Sequence, residues 1–293
     1  ERCVLAHCND DVSGMVVPWL YVGMLFASFC WHVEDHYAHS INYMHWGAPK
    51  TWYGVPGDEA DAFEAVMREA VPDLVETESG LLYKMVTMVP PGEAAQKGVN
   101  VCHLVQQPGS FVITWPRAYH AGFSHGVNCA ESSNFATPDW LPWGRASVHA
   151  FRTTPGARRP CFTHELLLTT LARKASTLSA HISSWVDAEL RTLIKDEMSY
   201  VAALRDAGVA EIEEIQDDNV VSGGGGVGAA AAESDPPVPD TPTAGTSGDA
   251  SGGELPDAWA GGPCPDCAAC QYECFLSAVV CTAADGTVTT LCP

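Results

Sequence analysis

The 293-residue sequence predicts a mainly β fold, a double-sheet jelly roll followed by a helical subdomain and a small cysteine-rich module. Three observations predict it. Short apolar and aromatic segments alternate with Gly- and Pro-containing turns from residue 16 to residue 130, as in jelly rolls. Helical spacing of apolar residues dominates only from residue 164 onward. Six of the twelve cysteines crowd the last thirty residues.

Composition limits the classes of partner. The formal net charge of −21 argues against a broad nucleic-acid-binding face and is compatible with a cationic peptide. No apolar run approaches the roughly 20 residues that a membrane span needs, so we expect no membrane segment. Because the sequence starts at Glu1 without a signal-peptide pattern, we expect it to be a fragment of a longer protein.

The strands of the jelly roll are predicted from β-branched and aromatic residues between turns. We predict them at 20–22, 28–33, 40–44, 51–55, 99–106, 110–114 and 126–130. One helix interrupts this series over 58–70, where apolar residues recur at helical spacing until Pro72 ends them. Residues 81–89 fit a helix or a strand, which the turn at 90–92 ends.

The second half divides into three parts, after a jelly-roll domain over 1–150. We predict a helical subdomain over 151–218, with helices at 165–173 and 184–203, the second carrying an apolar stripe. A linker over 219–256 is rich in Gly, Ala, Ser, Pro and Asp, and is therefore expected to be disordered. The cysteine-rich module covers 257–293.

A metal site is predicted around His32-x-Glu34. If residues 29–36 are read as a strand, His32, Glu34 and His36 project from one face because side chains alternate. His120, on a separate strand between Pro116 and Gly122, offers a third ligand. Two His and one carboxylate on one side of a metal form the facial triad of non-haem Fe(II) oxygenases. Spacing alone leaves other histidines as competitors: His36, His39, His45, His103 and His125.

An acid co-substrate is predicted from polar residues near this site. A molecule with two carboxyl ends would chelate iron at one end and need a cation and hydroxyl groups at the other. Lys50 is one of few basic residues in the first hundred, and follows a strand bearing Ser40 and Asn42. Tyr21 lies on the strand before the His32 segment. These side chains offer charge-assisted and neutral hydrogen bonds to a distal carboxylate.

Three longer segments carry a family resemblance: 31–36 (WHVEDH), 40–56 (SINYMHWGAPKTWYGVP) and 116–123 (PRAYHAGF). They resemble the JmjC domain of JARID-type histone lysine demethylases, from about residue 14 to residue 168. The resemblance implies a double-stranded β-helix, a cupin-like JmjC barrel. It implies Fe(II) held by His32, Glu34 and His120, with 2-oxoglutarate as co-substrate and O2 as oxidant. The implied 2-oxoglutarate pocket comprises Tyr21, Phe29, Ser40, Asn42, Lys50 and Trp52, with Asn134 near the methyl-lysine end.

The implied activity is removal of methyl groups from the histone H3 tail, with lysine 4 favoured, in nuclear chromatin complexes. Residues 121–137 (AGFSHGVNCAESSNFAT) instead resemble enzymes for lysine 9 and lysine 36. Ser132 and Ser133 stand where the JARID pattern has small apolar residues. The alternatives are a lysine 9 or 36 demethylase, a JmjC protein hydroxylase, a non-catalytic chromatin scaffold, and a cupin-like metal enzyme without 2-oxoglutarate.

The cysteine-rich tail resembles the start of the C5HC2 zinc finger of the same family. Clustered thiols favour a reducing intracellular compartment and zinc rather than a disulfide framework. The implied Zn(II) ligands are Cys267, Cys270, Cys274 and Cys281, with Cys264 as an alternative. Ala283 stands where the pattern has a further Cys, so the module is expected to be only part of a finger.

Overall fold

Two four-stranded antiparallel sheets form the body of the computed structural model, which describes residues 3–8, 12–72, 88–154, 160–208, 267–268, 279–282 and 287–291. The strands are β1 Trp19–Gly23, β2 Ser28–His32, β3 His39–Gly47, β4 Lys50–Val55, β5 Cys102–Gln106, β6 Phe111–Thr114, β7 Tyr119–Ser124 and β8 Asn128–Phe135. One sheet has the order β1-β8-β3-β6 and the other β2-β7-β4-β5. Chain neighbours such as β1 and β2 lie in different sheets, as in a jelly roll.

Strand register fixes which side chains face the space between the sheets. In the first sheet Ser40 lies opposite both Asn134 and Thr114. In the second, Lys50 lies opposite Ser124 and Gln106. Directly opposed residues project from the same face of a sheet. Because Gln106 Nε2 donates across to Asn42 Oδ1 at 3.2 Å, these two faces meet each other.

Helix α1 (Ala60–Ala70) covers the outer face of the second sheet. Its Phe63 packs edge-on against Trp31, with ring centroids 4.7 Å apart. Val55 and Tyr119 complete this small core with the short helix α2 (Pro91–Gln96) close by. This core holds the strands β2 and β7 against each other from outside, so their inner residues are fixed in position.

Three further helices form a second core at one end of the barrel: α3 (Leu141–Thr153), α4 (His164–Arg173) and α5 (Ala180–Asp206). Trp140, Leu141 and Leu171 are fully buried there. Ser179 caps α5, since its Oγ accepts from the Ile182 amide at 3.3 Å. None of the helices in the described ranges is long and apolar enough to cross a membrane.

The predicted fold class is confirmed for the jelly roll and the helices, with corrections of detail. The strand that was read over 29–36 ends at His32, and the chain turns at His36 and Tyr37, whose φ angles are positive at 54° and 51°. The last strand runs to Phe135, well beyond the predicted end at residue 130, because its pairing with β3 continues to Phe135. The sequence pattern missed this half because its inward side chains, Ser132 and Asn134, are polar. Helices α2 and α3 were not predicted: α2 begins within the turn placed at 90–92, and the boundary placed at residue 150 falls inside α3.

The described part of the tail is a short antiparallel hairpin, β9 (Val279–Thr282) paired with β10 (Val288–Leu291). The Ala268 amide donates to Thr290 O at 2.8 Å, which ties the buried Cys267 segment to β10. The predicted linker 219–256 and residues 81–87 lie outside the described residues. So do Cys264, Cys270 and Cys274, and the predicted zinc module therefore stays a prediction.

Candidate metal centre

Three side chains converge between the sheets: His32, Glu34 and His120. Each offers one ligand atom, and these atoms all lie within 4.8 Å of one another. His120 Nε2 is 3.2 Å from Glu34 Oε1, and the two imidazole centroids are 4.2 Å apart. No other group of three such donors exists among the described residues. This is the donor set of a facial triad.

The backbone explains why the three donors meet. His32 ends β2 directly opposite His120, the second residue of β7. An irregularity in the pairing between Phe29 and His32 adjusts the register just before the ligand. Glu34 lies beyond the strand but keeps an extended backbone (φ −68°, ψ 150°). The alternation therefore continues for one more step and projects Glu34 beside His32.

Backbone carbonyls orient both imidazoles. His32 Nδ1 lies 2.8 Å from Cys30 O, and His120 Nδ1 lies 3.0 Å from Ala118 O. Since a carbonyl only accepts, Nδ1 carries the proton in both rings. The Nε2 lone pairs are then left for a metal ion, which is the arrangement that supports a metal-bound histidine.

The electrostatics favour the protonation states that a metal needs. Burial, and then the charge of neighbouring His120, lower the pKa of His32 to about 4, so this imidazole is neutral at pH 7. Burial alone would raise the pKa of Glu34, but its interactions with His120 and His32, and the hydrogen bond from Asn134, outweigh burial and hold that pKa at about 2. A neutral imidazole and an ionised carboxylate are the binding forms.

Asn134 acts on the carboxylate. Its Nδ2 donates to Glu34 Oε2 at 3.0 Å and to His39 O at 3.1 Å. The amide thus fixes the oxygen of Glu34 that does not face His120. The sequence placed Asn134 at the methyl-lysine end of the pocket. In the structure its side-chain amide bonds the candidate ligand Glu34 and the strand beside it.

A buried cation lies at the other end of the same space. Lys50 is only 8% exposed, and its Nζ is 5.7 Å from the ring centroids of both Phe29 and Trp52. Burial lowers its pKa. No carboxylate in the described ranges lies within ion-pair distance of it. A buried ammonium without a counter-charge is costly, so the position suits an anionic ligand.

Hydrogen bonds join polar residues within and between the two sheets near Lys50. Ser40 Oγ and Thr114 Oγ1 share a hydrogen bond of 2.6 Å. Trp52 Nε1 donates to Gln106 Oε1 at 2.9 Å, and Gln106 in turn donates to Asn42. Sequence reasoning missed Gln106 and Thr114. Only the register, which sets Gln106 opposite Lys50 and Thr114 opposite Ser40, reveals them.

Aromatic rings separate the two ends of the site. Phe29 lies edge-on to Trp52 with centroids 4.7 Å apart and is 6.2 Å from the His32 ring. Gly122 leaves room for Phe29, since a Cβ there would lie 2.6 Å from its ring. Tyr21 is 45% exposed on the edge strand, and its pKa is raised by burial and then by the charge of Glu34. Tyr21 is therefore near the ligands but at the open rim.

The competing histidines lie elsewhere, and the expectation that His36 shares the face of His32 is wrong. With its positive φ, His36 points into the helical core, where it is fully buried and stacked on Phe162 at 3.9 Å. The others contact residues away from the triad. These contacts are His39 with Phe135, His45 with Glu131, His103 with Tyr53, and His125 with Thr51.

Comparison with known families agrees with this geometry. The model of the family described as "JmjC domain, hydroxylase" matches residues 19–135, the segment that carries all eight strands of the barrel. The chain contains a JmjC domain. Such a domain depends on Fe(II) and 2-oxoglutarate, and the JmjC barrel holds a His-Glu-His triad at its centre.

Relatives extend the similarity beyond the JmjC domain itself. The chain is 46% identical over 214 residues to lysine-specific demethylase 5D of Homo sapiens. It is 45% identical over 215 residues to lysine-specific demethylase 5B of Gallus gallus, and 47% over 213 residues to demethylase 5D of Pan troglodytes. These matches cover 72–73% of this chain and 14% of each relative. The resemblance to the JARID-type family is confirmed for the JmjC part.

The residues of the JmjC domain fit the implied cofactors. Two Nε2 atoms with fixed tautomers and one ionised carboxylate leave one side of an ion open, as a non-haem Fe(II) site requires. Lys50, the cation without a carboxylate neighbour in the described ranges, faces the same space. A dicarboxylate is thus matched at both of its ends.

Proposed function

We propose that this chain is the catalytic part of an Fe(II)- and 2-oxoglutarate-dependent demethylase that removes methyl groups from lysine on histone H3, with lysine 4 preferred. One observation carries the proposal: the Phe29 ring lies between the His32-Glu34-His120 triad and the buried Lys50, with its centroid 6.2 Å from the His32 ring and 5.7 Å from Lys50 Nζ. The names of the relatives, lysine-specific demethylases, support the substrate class. The chain spans only 14% of the length of these relatives.

His32, Glu34 and His120 would hold the iron from one side. When bound, iron with 2-oxoglutarate and O2 supplies oxidation of an N-methyl group, which then leaves as formaldehyde. The residues of the chain keep the His32 imidazole neutral, keep Glu34 ionised, and leave the opposite side of the ion open. Asn134 supports this by holding Glu34 through its second oxygen.

The co-substrate would lie between the triad and Lys50. The ammonium of Lys50 would pair with the distal carboxylate, which replaces the counter-charge that the described residues do not supply. Ser40 and Asn42 offer hydrogen bonds from the first sheet, and Tyr21 offers its hydroxyl from the rim. Phe29 and Trp52 form apolar walls that exclude water and orient the chain of the ligand.

The histone substrate fits the charge of the chain. The H3 tail is cationic, and the formal net charge here is −21. We also propose that the protein acts in nuclear chromatin complexes, because histone H3 is its proposed substrate. Zinc binding by Cys267, Cys270, Cys274 and Cys281 stays part of the proposal, supported by the CxxC spacing.

One segment of the sequence supports a second candidate function, demethylation of histone H3 at lysine 9 or lysine 36. Ser132 and Ser133 on β8 replace small apolar residues of the JARID pattern, and residues 121–137 resemble enzymes for lysine 9 and lysine 36. Ser132 Oγ donates to Ile41 O at 3.2 Å, and Ser133 Oγ donates to Met15 O at 2.9 Å. Ser132 lies opposite Asn42 and therefore on the face that lines the pocket.

The test is mass spectrometry of H3 peptides trimethylated at lysine 4, 9, 27 or 36, incubated with the chain, Fe(II) and 2-oxoglutarate. We expect stepwise loss of methyl groups with formaldehyde, fastest for lysine 4. If methyl groups are lost fastest from lysine 9 or lysine 36, that lysine replaces lysine 4 as the proposed substrate. A stable gain of oxygen would indicate a hydroxylase, and no change on any peptide with iron bound would contradict the demethylase.

A further inference from the structure

We propose that Arg117 is a positioning residue that holds the segments bearing Glu34 and His120 in register, so that the triad is preformed for the ion. The inference rests on the proposed function, because it takes these two side chains as iron ligands. Arg117 touches neither the ion nor the co-substrate space. It acts through two backbone turns, one directly before His120 and one directly after Glu34.

The first of these turns directly precedes His120. The Ala118 amide donates to Trp115 O at 3.0 Å and closes a tight turn over residues 115–118. Ala118 O in the same turn accepts the Nδ1 proton of His120 at 3.0 Å. A rotation of this turn would therefore rotate the imidazole and redirect its Nε2. The orientation of the ligand depends on how firmly the turn is held.

Arg117 fixes that turn to helix α1. Its Nη2 donates to Asp61 Oδ1 and, at 3.2 Å, to Glu64 Oε1. Tyr119, next to the ligand, donates to the same Glu64 oxygen at 3.2 Å. The turn also lies directly on the chain entering α1, where a Cβ on Gly57 would be 2.4 Å from Pro116 O. The turn before His120 is thus held by hydrogen bonds to side chains of helix α1.

The same guanidinium reaches the second ligand segment. Arg117 Cζ lies 5.7 Å from the centroid of the Tyr37 ring, a cation–π distance. The Tyr37 amide donates to Glu34 O at 3.0 Å, which closes the turn that follows the carboxylate ligand. One side chain therefore contacts α1, the turn before His120 and, through Tyr37, the turn after Glu34.

The backbone of Arg117 gives an independent sign of this role. Its φ is 56°, a left-handed conformation that a long side chain rarely adopts and that glycine or asparagine would adopt more easily. Such strain persists where surrounding contacts over-determine the conformation, and it concentrates at functional sites. The strained position thus carries a side chain that contacts helix α1 and the Tyr37 ring of the second ligand turn.

The experiment compares Co(II) affinity of the full chain and its variants, followed by the visible absorption of the bound ion. Arg117→Asn keeps a residue that tolerates positive φ but removes the guanidinium. We expect its Kd for Co(II) to rise about 10-fold or more, as for other residues that orient metal ligands. Arg68→Gln is the matched control. Arg68 also pairs with Glu64, at 2.9 Å, but its side chain is 51% accessible and makes no hydrogen bond or ion pair with either ligand turn among the described residues, so the Kd of this variant should stay at the wild-type value.

The outcomes separate this inference from the proposed function. No Co(II) binding by the wild-type chain, or equal binding by His120→Ala, would overturn the iron site itself. Wild-type affinity in folded Arg117→Asn would overturn only the role of Arg117. If Arg117→Asn fails to fold, the Kd values of Asp61→Asn and Arg117→Lys for Co(II) decide whether Arg117 has this role. Asp61 is an exposed carboxylate, with its side chain 84% accessible, and unchanged Kd in both variants would also overturn the inference.

Discussion

His120 Nε2 lies 3.2 Å from Glu34 Oε1, and Glu34 Oε2 in turn accepts from Asn134. The carboxylate is therefore held from both sides, by an imidazole of the second sheet and by an amide of the first. This bridge between the sheets places the ligands where strands from both sheets meet. It also explains why the pKa of Glu34 stays low in a buried position.

Removal of His120 should abolish turnover without loss of the fold. His120→Ala deletes one of three donors, and two remaining donors do not make a facial triad. We expect formaldehyde release from methylated H3 peptide to fall below detection, while the thermal unfolding midpoint changes little. His125→Ala is the control, because His125 bonds Thr51 away from the triad. Substantial turnover in His120→Ala would contradict the ligand assignment.

Removal of Lys50 should affect the co-substrate rather than the metal. A hydrogen bond between charged groups contributes about 1.5–3 kcal/mol, so Lys50→Ala should raise the KM for 2-oxoglutarate by about 10- to 100-fold. Co(II) affinity should stay unchanged. Lys97→Ala is the matched control, since Lys97 pairs with Glu69 at 2.9 Å on the surface. A 2-oxoglutarate KM equal to that of wild type would remove Lys50 from its proposed role.

Removal of Asn134 should weaken the metal site and make it more sensitive to acid. The hydrogen bond from Asn134 lowers the pKa of Glu34, so Asn134→Ala should raise that pKa from about 2. Metal affinity would then begin to fall at a higher pH than in wild type, and would be about 10-fold lower at pH 7. Isothermal titration with Co(II) at several pH values measures both effects. Ser133→Ala, at the neighbouring position, should leave both unchanged.

Much of this site could be predicted from the sequence because alternation along a strand is a local property. His32 and Glu34 project together although β2 ends between them, since the backbone stays extended for one more residue. His36 could not be predicted in the same way. Two successive positive φ angles turn the chain there, and neither His36 nor Tyr37 is a residue type that signals such a turn.

Two further polar residues of the site could not be predicted from the sequence, for a different reason. Gln106 and Thr114 enter the site through pairing with β4 and β3, and the pairing of distant strands has no local signal. The same holds for Asn134, whose bond to Glu34 joins the two sheets. The family resemblance identified Asn134 as a pocket residue, but only the register shows that it contacts a ligand side chain.

The helical core should lose stability in acid through His164. Burial, and then the charge of Arg145, lower the pKa of His164 to about 4, against about 6.5 in an unfolded chain. The unfolded chain thus binds more protons between these values, so the free energy of unfolding falls as pH drops from about 6.5 to about 4. The full loss is about 3 kcal/mol. Urea unfolding at several pH values measures this dependence. The free energy of unfolding should change less steeply with pH in His164→Gln than in wild type, and an equally steep change would contradict this explanation.

The central claim is that His32, Glu34 and His120 hold one ferrous ion. X-ray absorption at the iron edge, on the full chain loaded anaerobically with one equivalent of Fe(II), tests it most directly. The account predicts scattering from two imidazoles with oxygen atoms in the remaining positions, and loss of one imidazole in His120→Ala. A bound ion without imidazole scattering, or an identical spectrum in His120→Ala, would contradict it.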